Sequence, residues 1–147
     1  PDSRSYQQRI DDLKTEKQLN ALYLDMIDEL PFGKQLFADA KAAVTQVTAR
    51  EVQDRMANGD EIVLIDIREQ NEWNLGHAES AIYIGRGVLE SQIESRVPRE
   101  ADVVLYCASG NRSALGAQTL TQMGYTKVAS MAGGFRDWVA SGGAVAD

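Results

Sequence analysis

From Val47 to the end of the chain, short apolar runs alternate with segments whose apolar residues recur every three or four positions. Ile62-Val63-Leu64-Ile65 is a continuous apolar run, the pattern of a strand buried on both faces. Residues 81–84, 103–106 and 128–131 form three further strand candidates. Helical patterns lie between them. Thr48-x-x-Glu51 opens a helix that runs to Ala57 and is closed by Asn58-Gly59. A polar helical stretch covers 69–75, and Gly85-Arg86-Gly87 opens a segment reaching Arg96. Residues 112–123 form a helix stopped by Gly124, and Gly133-Gly134 releases a last helix carrying Phe135 and Trp138. This alternation predicts an α/β domain, a parallel sheet with helices on both faces. Ligands of such sheets sit at the carboxyl ends of the strands.

Residues 1–46 carry a different pattern. Leu19, Leu22, Tyr23, Met26, Ile27 and Leu30 make the stripe of an amphipathic helix, which Pro31 stops. Leu36, Phe37, Ala40, Ala43 and Val44 suggest a second, shorter helix after Phe32-Gly33. The organisation expected is therefore a helical extension, 1–46, followed by a domain, 47–147. An extension of this size cannot bury a core of its own. It packs on its own domain, or it makes a homodimer or partner contact.

Composition narrows the function. The net charge of −7 is spread without acidic or basic blocks, which argues against nucleic acid as a partner. No run approaches the roughly 18 apolar residues of a membrane span, so no membrane partner is expected. Cys107 is the only cysteine and His77 the only histidine, which excludes an internal disulfide, a Cys-x-x-Cys motif and a His/Cys metal cluster. No cofactor is expected. A lone thiol fits a reducing, cytoplasmic compartment, although the chain begins at proline and an exported form stays open.

The same cysteine carries the chemistry. Cys107 ends the apolar run Val103-Val104-Leu105-Tyr106 and is followed by Ala108, Ser109, Gly110, Asn111, Arg112 and Ser113, after which the helical pattern begins. A strand that stops at a thiol, crosses a small-residue loop and enters a helix places that thiol among backbone N–H groups. The helix dipole, the loop amides and the Arg112 cation would all favour the thiolate, the nucleophilic form. A cysteine at a strand end can also be plain apolar packing. Asp66 and Arg68 follow one strand and Arg86 the next, so both are expected at the same end of the sheet. Asp66 and Arg68 read as an ion pair bracing a loop. His77 reads as a turn-fixing hydrogen-bonding residue, and Arg86 as a candidate cation for an anionic substrate. Trp73 and Trp138 read as core.

At these residues the chain resembles the rhodanese family of sulfurtransferases. The likeness rests on Asp66-Ile67-Arg68-Glu69, Glu72-Trp73, Gly76-His77-Ala78 with Ala81, the loop from Cys107 to Ser113, and Gly133-Gly134-Phe135 followed by Trp138. It covers about 47–142. Ala78-Glu79-Ser80 departs from the Ile-Pro-Gly usual at that turn.

The resemblance implies a five-stranded parallel sheet. It also implies a Cys107 that cycles between thiolate and persulfide, taking sulfane sulfur from thiosulfate or a persulfide and passing it to a thiol or cyanide. The residues from Ala108 to Ser113 would bind the persulfide, with Asp66, Arg68, Glu72 and His77 in support. Two alternatives stand beside the sulfurtransferase. One is a rhodanese-like sulfur carrier or binding module; the other is a phosphatase or arsenate reductase of related fold. The latter place five residues between cysteine and arginine, whereas four stand here, a ring better sized for one sulfur atom.

Overall fold

A computed structural model describes residues 3–12, 15, 18, 19 and 32–147. The chain divides into two units, Pro1–Leu36 and Phe37–Asp147. In the first, helix α1 (Tyr6–Asp11) is opened by a reciprocal cap. The Ser5 hydroxyl accepts the Gln8 N–H, and the Gln8 side chain accepts the Ser5 N–H. The expected stripe from Leu22 to Leu30 lies outside the described residues. Helix α2 (Phe32–Ala43) crosses the division between the units.

The second unit holds an α/β fold. Its elements are β1 (Thr45–Thr48), α3 (Ala49–Ala57), β2 (Ile62–Asp66), α4 (Gln70–Asn74), β3 (His77–Ala78), β4 (Ile82–Tyr83), a short 3-10 turn (Arg86–Val88), α5 (Leu89–Arg96), β5 (Asp102–Tyr106), α6 (Asn111–Gln122), β6 (Lys127–Ala132), α7 (Gly134–Ala140) and β7 (Val145–Ala146). Five strands form one parallel sheet in the order β1-β6-β5-β2-β4. From β2 the chain moves outward to β4, then returns to β5 on the other side of β2 and continues to β6. The order therefore reverses between β2 and β5, and the crevice at their carboxyl ends is the place where such sheets bind ligands.

Alternation along the strands sorts the core into two faces. Val103, Leu105 and Cys107 pack with Ile65, Ile67, Leu89, Ile93, Ala117 and Leu120, under α5 and α6. Val104 and Tyr106 pack with Leu64, Met131, Val52 and Trp138, under α3 and α7. Cys107 thus follows Leu105 onto the α6 face. That assignment decides which groups the thiol meets.

Three features differ from the sequence expectations. The second unit begins at Phe37, with Ala40 buried, so its boundary falls before residue 47 and inside the expected second helix. Strand β1, Thr45-Gln46-Val47-Thr48, is an edge strand with mostly exposed side chains; only its backbone pairing with β6 marks it as a strand, and period-two alternation is absent. The antiparallel pair β3–β7 has two residues per strand, too few to show any period. Among the described residues no helix is long and apolar enough to cross a membrane.

The small β3–β7 pair holds more than its length suggests. The Ala144 carbonyl accepts both the Glu79 N–H at 2.9 Å and the buried Trp138 indole N–H at 2.9 Å. Ending the chain after Gly142 should lower unfolding stability by about 2 kcal/mol, since these two hydrogen bonds, that from the Gly143 N–H to the Trp138 carbonyl and a strand pairing are lost while water reaches Trp138. Urea unfolding followed by tryptophan fluorescence measures this.

Candidate active site

Cys107 lies just beyond the end of β5, 1 % exposed, with its sulfur at the first turn of α6. The Gly110 N–H donates to Sγ at 3.1 Å and the Ser113 N–H at 3.4 Å, and the Ser113 hydroxyl oxygen lies 3.5 Å from Sγ, accepting from the thiol and able to donate to a thiolate. Burial pushes the thiol up, but hydrogen bonds from the Ser113 hydroxyl and from the Ser113, Ser109 and Gly110 amides outweigh it, leaving the thiol below its ordinary value. The thiolate is favoured by fixed dipoles.

The first peptides of the loop, including the one that carries the Ser109 N–H, are held from behind. The Cys107 carbonyl accepts the Phe135 N–H at 2.8 Å, and the Ala108 carbonyl accepts the Arg136 N–H at 3.3 Å, both from the start of α7. In a trans peptide the C=O and the following N–H point in opposite directions, so fixing these oxygens aims the Ala108 and Ser109 N–H groups away from α7. Two glycines make the fit possible. Gly110 caps α6 with φ +105°, a conformation that favours glycine. Gly134 lies so close that a Cβ there would stand 2.4 Å from the Cys107 carbonyl oxygen.

Arg112 acts on Cys107 through charge alone, its hydrogen bonds being given to Glu72. Its two terminal nitrogens donate to the Glu72 carboxylate of α4 at 2.8 and 3.0 Å, a bidentate pair that staples the loop to α4. Arg112 in turn holds the Glu72 carboxyl down at about 2.

Asp66 and Arg68 sit on the other face of the sheet, with Tyr106. The Asp66 carboxylate accepts the Arg68 N–H at 2.9 Å, the Arg68 guanidinium at 2.8–3.1 Å and the Tyr106 hydroxyl at 2.6 Å. Arg68 also donates to the Gly76 carbonyl and covers the Phe135 ring at 4.3 Å. Burial, reinforced by the bond to Asp66, pushes the Tyr106 phenol up, so it remains a donor. This network braces the Gly76 turn and the start of α7; the ion pair belongs to the frame of the loop. His77 stacks on Trp73 with ring centroids 3.4 Å apart and hydrogen-bonds its carbonyl through Nδ1. Trp138 is core, whereas Trp73 is only half-buried.

Arg86 is not brought to the loop. Its guanidinium is committed to Glu90 on α5 at 2.6 Å and to Thr119 on α6 at 3.4 Å. Thr119 lies seven residues along α6 from Arg112, roughly 10 Å at the helical rise. Sequence reasoning missed the roles of the Phe135 and Arg136 amides, of the Tyr106 hydroxyl and of Ser130, whose hydroxyl lies 2.8 Å from that of Ser113. A polar residue inside the apolar run of β6 was the one signal for Ser130.

The Glu72–Arg112 pair sets a pH dependence. A carboxylate held below its unfolded value adds stability at neutral pH, and this is lost as pH falls from about 4.5 toward about 2. Glu72→Gln should cost about 1 kcal/mol at pH 7, allowing for the partial exposure of the pair. The gap from the parent should close across that acid window. Denaturant melts at several pH values would show it.

The sequence model described as "Rhodanese-like domain" matches residues 48–141, and one described as a protein of unknown function, DUF1615, matches residues 1–57. A sulfurtransferase of Allochromatium vinosum is 30 % identical over 99 residues, covering 67 % of this chain and 92 % of that protein. A probable adenylyltransferase/sulfurtransferase, MoeZ, of Mycobacterium tuberculosis is 28 % identical over 117 residues, covering 78 % of this chain; the chain spans only 30 % of that relative's length. A solved structure from Rhodopseudomonas palustris, described as a protein of unknown function and possible tyrosine phosphatase, is 31 % identical with a TM-score of 0.70, covering 78 % of this chain and 93 % of that one. With its five-stranded parallel sheet, its cysteine loop at the β2/β5 crevice and a family match over most of its length, the chain belongs to the rhodanese-like domain family.

Proposed function

We propose that this protein is a sulfurtransferase whose carrier atom is Cys107 Sγ. The observation that carries this reading is the convergence of the Ser109, Gly110 and Ser113 amides on one buried sulfur at a helix N-terminus. The thiolate attacks the outer sulfur of thiosulfate or of a persulfide. An S–S bond forms to Cys107, and sulfite or a thiolate leaves with the electron pair of the broken bond. An acceptor such as cyanide or a cellular thiol then attacks the terminal sulfur, and the electron pair of the Cys107 S–S bond returns to Sγ. Charge and atoms balance in both halves without an oxidant, a metal or a cofactor.

Residues 108–113 form the persulfide ring, Arg112 and Glu72 hold it to α4, and Asp66, Arg68 and His77 keep its supports in place. Arg86 takes no part in anion binding on this reading, since Glu90 and Thr119 already engage it. The four residues between cysteine and arginine favour a single sulfur over a phosphate ester, which needs room for its oxygens. A reducing compartment such as the cytoplasm suits a lone catalytic thiol.

Intact mass tests the reading. The protein should gain one sulfur atom from thiosulfate or a persulfide, lose it to cyanide, show ping-pong kinetics and leave an aryl phosphate untouched. Charging by a persulfide alone would make it a carrier fed by a partner. Cys107→Ser should fold and take up no sulfur, because the serine hydroxyl stays protonated. Sulfur uptake by that variant, or aryl phosphate hydrolysis as fast as sulfur transfer by the parent, would overturn the proposal.

A further inference from the structure

Ser130 stands on β6, paired with Leu105 of β5, and is fully buried. Its neighbours Ala129 and Met131 face the α3/α7 side, so alternation turns Ser130 toward α6, the side of Cys107. A hydroxyl in such a place costs free energy unless bonded, and alanine would pack there without that cost. Its only hydrogen-bond partner among the described residues is the Ser113 hydroxyl, at 2.8 Å. Ser113 is also fully buried, and its side chain has two partners: Ser130 Oγ and Cys107 Sγ.

With Cys107 ionised, counting protons fixes the direction of this chain. Each serine has one proton, and a thiolate can only accept. Were Ser113 to donate to Ser130, the Ser130 proton would have no acceptor and the thiolate would lose a donor. With Ser130 donating to Ser113, and Ser113 donating to Sγ, every proton finds an acceptor. Hydrogen bonds aligned in this way polarise one another.

We propose that Ser130 is a positioning residue that acts on Cys107 through Ser113, orienting the Ser113 proton onto the sulfur and so holding Cys107 as a thiolate. This rests on Cys107 being the reactive thiol. The same donor serves both halves of the proposed reaction, because Sγ is the attacking thiolate in the first and the leaving thiolate in the second. The charged groups around the loop come from other elements and are already paired: Arg112 of α6 with Glu72 of α4, Arg68 with Asp66 after β2, and Arg136 with Asp137 on α7. None is altered by changing Ser130.

The test is the pH dependence of alkylation of Cys107 by iodoacetamide, read by intact mass with no sulfur donor present. It therefore stands apart from whether the protein transfers sulfur. Ser130→Ala should shift the profile to higher pH and slow alkylation near neutral pH about fivefold, the effect of about one hydrogen bond. Ser113→Ala should slow it at least as much, and adding Ser130→Ala to Ser113→Ala should change nothing further. Ser130→Thr, which keeps the hydroxyl, should retain the parent profile and serves should the alanine variant fold poorly. An unchanged profile in Ser130→Ala would overturn the proposal, as would an equal slowing in the Ser113→Ala background. Loss of sulfur transfer in the parent, with these profiles intact, would refute the proposed reaction and leave the role of Ser130 standing.

Discussion

The site depends on two carbonyl oxygens. Those of Cys107 and Ala108 are taken by the first free amides of α7, and the rigid peptide plane converts that grip into an orientation of the Ala108 and Ser109 amides at the start of the loop. The α7 N-terminus acts on the Cys107 loop from behind, by fixing what its first peptides can present. The close approach at Gly134 is the steric condition for it. Arg68 extends the arrangement, for its guanidinium lies over Phe135 while Asp66 and the Gly76 carbonyl hold it in place.

β5 separates two kinds of polar chemistry. On one face Tyr106, Asp66 and Arg68 form a buried network in which the carboxylate accepts from both the phenol and the guanidinium, the condition under which buried charge is tolerated. On the other face the sulfur meets the Gly110 and Ser113 N–H groups and the Ser113 hydroxyl. Adjacent residues, Tyr106 and Cys107, thus serve opposite tasks because alternation sends their side chains to opposite sides.

The strongly periodic elements could be read from the sequence because their signals are local. The apolar run of β2, the run ending at Cys107 and the helix before Gly124 all follow from burial of one or both faces. β1 and the β3–β7 pair could not be read, because their evidence lies in backbone pairing with distant residues. The site divides in the same way. The cysteine, its small-residue loop and the following helix are contiguous in sequence, so their arrangement was legible. The commitment of Arg112 to Glu72 and of Arg86 to Glu90 and Thr119 depends on where α4, α5 and α6 pack, which charge alone does not specify. Ser130 was hidden for the same reason: a single hydroxyl in a strand has no meaning until its neighbour across the sheet is known.

Because amides and the Ser113 hydroxyl face the Cys107 sulfur while the nearby arginine is bound to a carboxylate, ionisation there is favoured by dipoles that cannot be displaced by dissolved ions. Mobile salt screens exposed charges over about 10 Å at moderate ionic strength, but it hardly reaches a buried sulfur surrounded by covalently fixed N–H groups. The lowering of the Cys107 thiol should therefore persist from dilute buffer to concentrated salt. Whatever salt dependence the protein shows would then arise in the approach of a charged donor to a chain of net charge −7.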